Sequence, residues 1–138
     1  MDWLRQTLEE SRQQSEKVVI LSHQPILPGS SSPICLVWNY RDVLLLLREF
    51  SDVVIASFAG HAHKGGYKRD ISGIHFRVVE AVLENPAPNK TYGMVDVHHD
   101  RLVVRGFGNC TSAEYDFKHL RSVVSSIRGC EAATGDAS

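Results

Sequence analysis

Two short apolar runs rich in β-branched residues constrain the fold of this chain most strongly. Val18-Val19-Ile20-Leu21 and Val53-Val54-Ile55-Ala56-Ser57-Phe58-Ala59 have the length and composition of buried strands. Residues 40–50 lie between them and favour a helix. Strand, helix and strand at this spacing predict a parallel crossover unit, which is almost always right-handed. Parallel neighbours bring their carboxyl ends to one edge of the sheet, where open α/β sheets usually bind ligands.

Further elements are predicted on both sides of this unit, within one α/β (α+β) domain over residues 1–108. Asp2 to Gln14 is rich in helix formers, and the apolar face with Leu4 and Leu8 is expected to cover the sheet. Asn39 is expected to cap the helix that starts at Tyr40 or Arg41. Val43 to Leu47 is apolar nearly all round, which indicates that this helix is buried.

The second half of the chain has a different pattern. Three segments alternate or are rich in β-branched residues and predict antiparallel strands that flank the parallel part: Ile74 to Leu83, Tyr92 to Val97 and Leu102 to Phe107. After Gly108 the pattern weakens, so residues 109–138 are expected to form a weakly structured tail, with a short helix from His119 to Ile127.

Three histidines follow the two predicted parallel strands. Ser22-His23-Gln24-Pro25 follows the first strand, and Gly60-His61-Ala62-His63 follows the second. A single histidine at a strand end more often forms hydrogen bonds than binds a metal, but a pair one residue apart can direct two imidazoles at one centre. The crossover predicts that His23 lies close to His61, so a metal site is favoured over a polar rim bonded to loop carbonyls.

Composition excludes several other classes of protein. The formal net charge of -1 gives no electrostatic reason to expect nucleic acid or a membrane surface as a partner. The N-terminal residues lack the basic and apolar regions of a signal peptide, and Cys35, Cys110 and Cys130 show no repeated spacing. A cytoplasmic location without disulfides is therefore expected.

The motifs around these histidines resemble those of a known family. Ser22-His23-x-Pro25 and Gly60-His61-x-His63 are similar to the last two metal motifs of calcineurin-like metallophosphoesterases. Cys35-Leu36-x-Trp38-Asn39-Tyr40-Arg41-Asp42 and Gly60-His61-x-His63-x-Gly65-Gly66-Tyr67 resemble the manganese-dependent ADP-ribose/CDP-alcohol diphosphatase branch. The resemblance extends from about Asp2 to Gly106 and covers only the C-terminal portion of that family's four-layer αββα sandwich.

The resemblance implies a hydrolase that cleaves the pyrophosphate bond of nucleoside diphosphate derivatives such as ADP-ribose, CDP-choline and CDP-glycerol. It implies two divalent ions (Mn, or alternatively Zn, Fe or Mg) with a bridging hydroxide as the nucleophile. His23 and His61 would bind one ion and His63 the other. Six residues would be candidates for substrate binding: Trp38, Asn39, Tyr40, Gly65, Gly66 and Tyr67.

The family's carboxylate motifs, Asp-x-His, Gly-Asp-x-x-Asp and Gly-Asn-His-Asp, are not found before His23. Asp96-Val97-His98 has the first spacing but lies in a predicted hairpin arm. Because manganese and magnesium prefer oxygen ligands, the sequence predicts a truncated chain that is inactive alone and exposes an apolar sheet edge. Two alternatives stay open: a catalytically dead module that binds a partner or nucleotide, and a single-zinc module.

Overall fold

A computed structural model of the chain describes residues 1–85 and 90–117. Its larger sheet has four strands in the order β1-β2-β4-β3. These strands are β1 (Val18–Ser22), β2 (Val54–Ala59), β3 (Gly66–Arg69) and β4 (His75–Val78). β1 and β4 both pair in parallel with β2, whereas β3 pairs antiparallel with β4. The carboxyl ends of β1, β2 and β4 therefore lie at the same edge of the sheet.

The predicted parallel unit is confirmed. α2 (Tyr40–Glu49) connects β1 to β2, and the register pairs Ser22 with Ala59 at the carboxyl ends. The antiparallel assignment of Ile74 to Leu83 is wrong in part, because β4 is parallel to β2 and antiparallel only to β3, a strand that was not predicted. The alternation of side chains along a strand is the same in both kinds of pairing, so it could not settle the direction.

Two helices cover one face of this sheet. α1 (Asp2–Gln13) buries Leu8, and α2 buries Leu44, Leu46 and Leu47 in one apolar core with β2 and β4. The predicted burial of α2 holds on the side that faces the sheet but not at Leu45, which is 64% exposed. Asn39 occupies the predicted N-cap position, but its side chain makes no capping hydrogen bond.

A second, antiparallel sheet packs against the other face of β2. It consists of β5 (Tyr92–Val97), β6 (Arg101–Phe107) and β7 (Ala113–Asp116). Ile55 and Ala56 of β2 contribute to a second core with Leu102, Val104 and Tyr115. The described residues thus form a helical layer and two sheet layers, as expected for part of an αββα sandwich.

Part of the segment after Gly108, which was predicted to be weakly structured, forms a regular strand. β7 lies inside that segment, and both Tyr115 and Phe117 are buried against the sheet interface. A four-residue strand gave too short a pattern to be recognised, and its burial depends on β6 as a partner. The helix predicted from His119 to Ile127 lies outside the described residues.

The described ranges contain no helix with the length and hydropathy needed to span a bilayer. Cys35 and Cys110 are free thiols, and Cys130 lies outside the described residues.

Asp70, which follows β3, forms an ion pair with Arg48 of α2. Its carboxylate accepts two hydrogen bonds from Arg48 (2.9 and 2.8 Å) and one from the hydroxyl of Ser72 (2.8 Å). The side chain of Asp70 is only 4% exposed. The Arg48 guanidinium, followed by Ser72, holds the pKa of Asp70 well below its usual value, although burial acts in the opposite direction.

Asp70→Asn is expected to lower the free energy of unfolding at pH 7 by about 2 kcal/mol, because it removes charge-assisted bonds from a buried carboxylate. The pKa of Asp70 is lower in the folded state, so this stabilisation is present above the unfolded-state pKa near about 4 and is lost as the pH falls below it. Urea unfolding should show a similar loss for Asp70→Asn at pH 7 and pH 5 and a smaller loss at pH 3, with exposed Glu16→Gln as the control. A difference that stays constant across this range would contradict the assignment.

Candidate metal centre

His23 and His61 meet at the carboxyl edge of the parallel strands. His23 follows β1, and His61 follows β2 after Gly60. The Nδ1 atom of His61 lies 3.2 Å from the Nε2 atom of His23, and the rings have a T-shaped arrangement with centroids 5.0 Å apart. The amide of Gly60 donates a hydrogen bond to the carbonyl of His23 at 3.0 Å, which ties the two strand ends together. The structure thus brings together two histidines 38 residues apart in the sequence.

His61 has an unusual backbone conformation. Its φ angle is +62°, in the left-handed region that residues other than glycine adopt rarely. Such a conformation persists only where the surroundings enforce it, and it occurs often at functional sites. The sharp turn directs the imidazole of His61 towards His23 rather than along the strand direction.

His63 does not join this pair. Its Nδ1 atom lies 2.8 Å from Oε1 of Glu84, and both side chains are about half exposed. Over the ranges 1–85 and 90–117, no three side chains of the His, Cys, Asp or Glu type converge as a complete metal-binding group. The arrangement is therefore one histidine pair with a third histidine held separately.

The spacing of the histidine pair fits one shared ion. Two imidazole nitrogens that bind a tetrahedral ion at about 2.0–2.1 Å lie about 3.3 Å apart. The 3.2 Å separation is close to that value, and without an ion it is the length of a hydrogen bond between the two rings. The described residues therefore fit the histidine part of a metal site, while the carboxylate oxygens that manganese prefers are not gathered around this pair in the described ranges.

The predicted substrate-binding residues before and at the start of α2 differ in how far their side chains are exposed. The side chain of Trp38 is 89% exposed and stands beyond the short helical turn Pro33–Cys35. Asn39 and Tyr40 are half-buried at the start of α2, and the Tyr40 ring contacts its neighbour Arg41. Trp38 thus presents an open aromatic surface, whereas Asn39 and Tyr40 are partly engaged in the fold.

Tyr67 is shared between the surface and the sheet interface. Its hydroxyl lies 2.8 Å from Nδ1 of His75, and its ring stacks on Tyr115 with centroids 5.2 Å apart. The environment is partly apolar, and burial raises the pKa of Tyr67. Tyr67 therefore joins the two sheets, and its substrate-binding role stays a prediction.

Glycine is required at positions 65 and 66 because the loop that carries His61 and His63, here called the histidine loop, packs closely against its neighbours. Gly65 has a φ angle of +71°, and a Cβ atom there would lie 2.6 Å from Cγ of Glu80. A Cβ atom on Gly66 would lie 2.1 Å from the carbonyl oxygen of Ser30. Ser30 belongs to the Pro25–Pro33 loop, so this loop packs directly against the histidine loop.

Gly66→Ala is expected to destabilise the chain by about 1–3 kcal/mol, because the new methyl group must displace the backbone of Ser30. Gly60→Ala is the matched control, since its Cβ would meet only the carbonyl of His23 at 3.8 Å and should change stability by less than about 0.5 kcal/mol. Urea unfolding of the two variants tests this, and equal losses would contradict the close approach at Gly66.

Among the described strands, β1 has no neighbour on its outer edge. β1 is an edge strand, and the side chains of Leu21 and Trp3 are 80% and 76% exposed. A groove of about 600 Å³ runs along this edge between α1 and β1 and reaches His23. An exposed apolar surface of this kind, next to the histidine pair, is typical of a surface that another polypeptide segment covers.

Sequence reasoning missed Glu84. It lies in the short helical turn Val82–Glu84 after β4 and lacks any motif. A prediction that β4 pairs in parallel with β2 would have placed Glu84 near His61, because this pairing puts the end of β4 at the same edge of the sheet. The apparent motif Asp96-Val97-His98 is not part of this site, since Asp96 forms an ion pair with Arg105 across the β5–β6 hairpin.

Comparison with known proteins identifies relatives, although no protein-family model matches the chain. The manganese-dependent ADP-ribose/CDP-alcohol diphosphatase of Homo sapiens is 37% identical over 122 residues, which are 88% of this chain and 35% of that protein. The Bos taurus protein of the same name is 41% identical over 108 residues, or 78% of this chain and 32% of its own length. The crystal structure of a dimetal phosphatase from Danio rerio superimposes with a TM-score of 0.81 at 34% identity, covering 85% of this chain and 37% of that one.

The fold of the described residues is that of part of a metallophosphoesterase domain, as in the dimetal phosphatase structure. The chain spans about a third of the length of the curated relatives it matches. Over that segment it is a homologue of the manganese-dependent ADP-ribose/CDP-alcohol diphosphatases.

Proposed function

We propose that this chain is the histidine-bearing part of a metal-dependent hydrolase that cleaves the pyrophosphate bond of nucleoside diphosphate derivatives of the ADP-ribose and CDP-alcohol type. The observation that carries the proposal is the 3.2 Å approach of His23 and His61 at the carboxyl edge of a parallel unit. The names of the relatives supply the substrate class.

In this proposal His23 and His61 hold one divalent ion and His63 holds a second. Bound ions would polarise the phosphoryl oxygens and lower the pKa of a water molecule that attacks the diphosphate. The chain's own contribution is to fix the imidazoles: the Gly60–His23 backbone bond and the left-handed turn at His61 set the first pair. The exposed ring of Trp38 is available for stacking with a nucleobase.

The carboxylate ligands are proposed to come from polypeptide that covers the open edge of β1. Hard divalent ions prefer oxygen ligands, and the described residues do not gather such groups around His23 and His61. The groove that reaches His23 is apolar and runs along the outer edge of β1, which pairs only with β2 among the described strands, as expected for a surface onto which a further strand packs. The 138-residue chain is accordingly expected to be inactive alone.

A chimera provides the test. The matching segment of the human diphosphatase is replaced by this chain, and hydrolysis of ADP-ribose and CDP-choline is measured with Mn²⁺ for the chimera and for the chain alone. We expect turnover by the chimera and none by the chain alone. A folded chimera without turnover would refute the hydrolase assignment, whereas turnover by the chain alone would refute the external origin of the carboxylates.

A single-zinc module receives less support, because His63 is bonded to Glu84 and does not converge with the pair. Elemental analysis of the purified chain distinguishes the hydrolase part from the single-zinc module, since one tightly held zinc per chain would favour the zinc module.

A further inference from the structure

The segment after β4 wraps around the loop that carries His63. The amide of Ala81 donates a hydrogen bond to the carbonyl of His63 at 3.0 Å. In the same loop, Gly65 packs so closely on Glu80 that a Cβ atom on Gly65 would come within 2.6 Å of Cγ of Glu80. These contacts fix the backbone of the turn Val82–Glu84 relative to His63.

The carboxylate of Glu84 is thereby held within hydrogen-bonding distance of the His63 imidazole. Its Oε1 atom lies 2.8 Å from Nδ1 of His63. An ionised carboxylate can only accept hydrogen bonds, so Nδ1 must carry the proton. In the neutral ring the lone pair is then on Nε2, and the hydrogen bond made by one ring nitrogen decides which nitrogen is free to bind a metal.

We propose that Glu84 is a positioning residue that holds His63 in the Nδ1–H form and thereby presents its Nε2 atom to a divalent cation. This inference rests on the proposed function for the role of His63 as a metal ligand. The tautomer of His63 depends only on its hydrogen bond with Glu84. Both side chains of the pair are about half exposed, so the pair contributes little to the free energy of unfolding. Its main effect is on the orientation and tautomer of the His63 ring. Carboxylates that bond to the outer nitrogen of a ligating histidine orient the ring and raise its basicity.

The first test needs neither metal nor substrate. Long-range ¹H–¹⁵N spectra of the histidine side chains of the full chain are recorded at about pH 8, where an ordinary imidazole is neutral, and His63 is assigned with His63→Ala. We expect the Nδ1–H form in the unmodified chain and a shift towards the Nε2–H form in Glu84→Ala. Glu84→Gln retains an acceptor oxygen and should restore part of the Nδ1–H population. Exposed Glu9→Ala is the control and should leave the spectrum of His63 unchanged.

The second test measures Mn²⁺ affinity in the chimera described above. Glu84→Ala should weaken Mn²⁺ binding by about 10- to 100-fold, while the melting temperature stays within error of the unmodified protein. An unchanged tautomer in Glu84→Ala would overturn the inference, and so would a changed tautomer with unchanged Mn²⁺ affinity. Failure of the proposed function would be seen separately, as a folded chimera that binds Mn²⁺ but does not hydrolyse ADP-ribose or CDP-choline.

Discussion

Replacing His61 by alanine in the chimera is expected to reduce kcat/KM for ADP-ribose by at least about a hundredfold, since loss of even an outer partner of a metal ligand typically costs about 10- to 100-fold. The physical reason is the 3.2 Å pair: without the Nδ1 atom of His61, His23 keeps no imidazole neighbour with which to share an ion. Hydrolysis is measured over a range of Mn²⁺ concentrations, which separates weaker metal binding from slower turnover.

Two further variants make the result specific. Alanine at position 61 must adopt a φ angle of +62°, which adds backbone strain, so His23→Ala is measured in parallel because His23 is not in the left-handed region. Both variants should lose activity to a similar extent. His98→Ala changes an exposed histidine in the β5–β6 hairpin and should retain full activity. Retained activity in both His23→Ala and His61→Ala would remove these histidines from the active site.

Leu47→Ala is expected to lower the free energy of unfolding by about 2–5 kcal/mol, because it leaves a cavity in the core between α2 and the larger sheet. Leu47 is completely buried in this core. Leu45, on the same helix, has a side chain that is 64% exposed, and Leu45→Ala should change stability by less than about 0.5 kcal/mol. Urea unfolding followed by far-ultraviolet circular dichroism measures both variants.

The comparison of these two leucines also tests the orientation of α2. Alanine has a slightly higher helix propensity than leucine, so any loss in Leu47→Ala reflects packing rather than helix formation. A large loss in Leu45→Ala would show that the exposed side of α2 is covered in solution. Equal effects at both positions would contradict the packing of α2 against β2 and β4.

The sequence predicted the elements whose signals are local. The apolar runs before His23 and His61 predicted β1 and β2, and the helix-favouring segment between them predicted the parallel pairing that the structure has. The histidine pair followed from that pairing, since a parallel crossover must place both carboxyl ends at one edge. The β5–β6 hairpin was predicted from alternation on both sides of a short turn.

Other features depended on partners distant in the sequence. Alternation along β4 could not distinguish a parallel from an antiparallel neighbour, and without that distinction Glu84 could not be placed beside His63. The exposure of Leu45 depends on which side of α2 faces the sheet, and an apolar sequence on all sides of a helix does not specify that.

What the sequence by itself determined is the order of strand, helix and strand and the presence of histidines at two strand ends, because periodicity and composition act over neighbouring residues. Only the tertiary structure decided that His63 is held by Glu84 and that Tyr115 is buried in a strand after Gly108. These contacts join residues more than 20 positions apart or depend on the pairing of whole strands, and no local pattern encodes such distances.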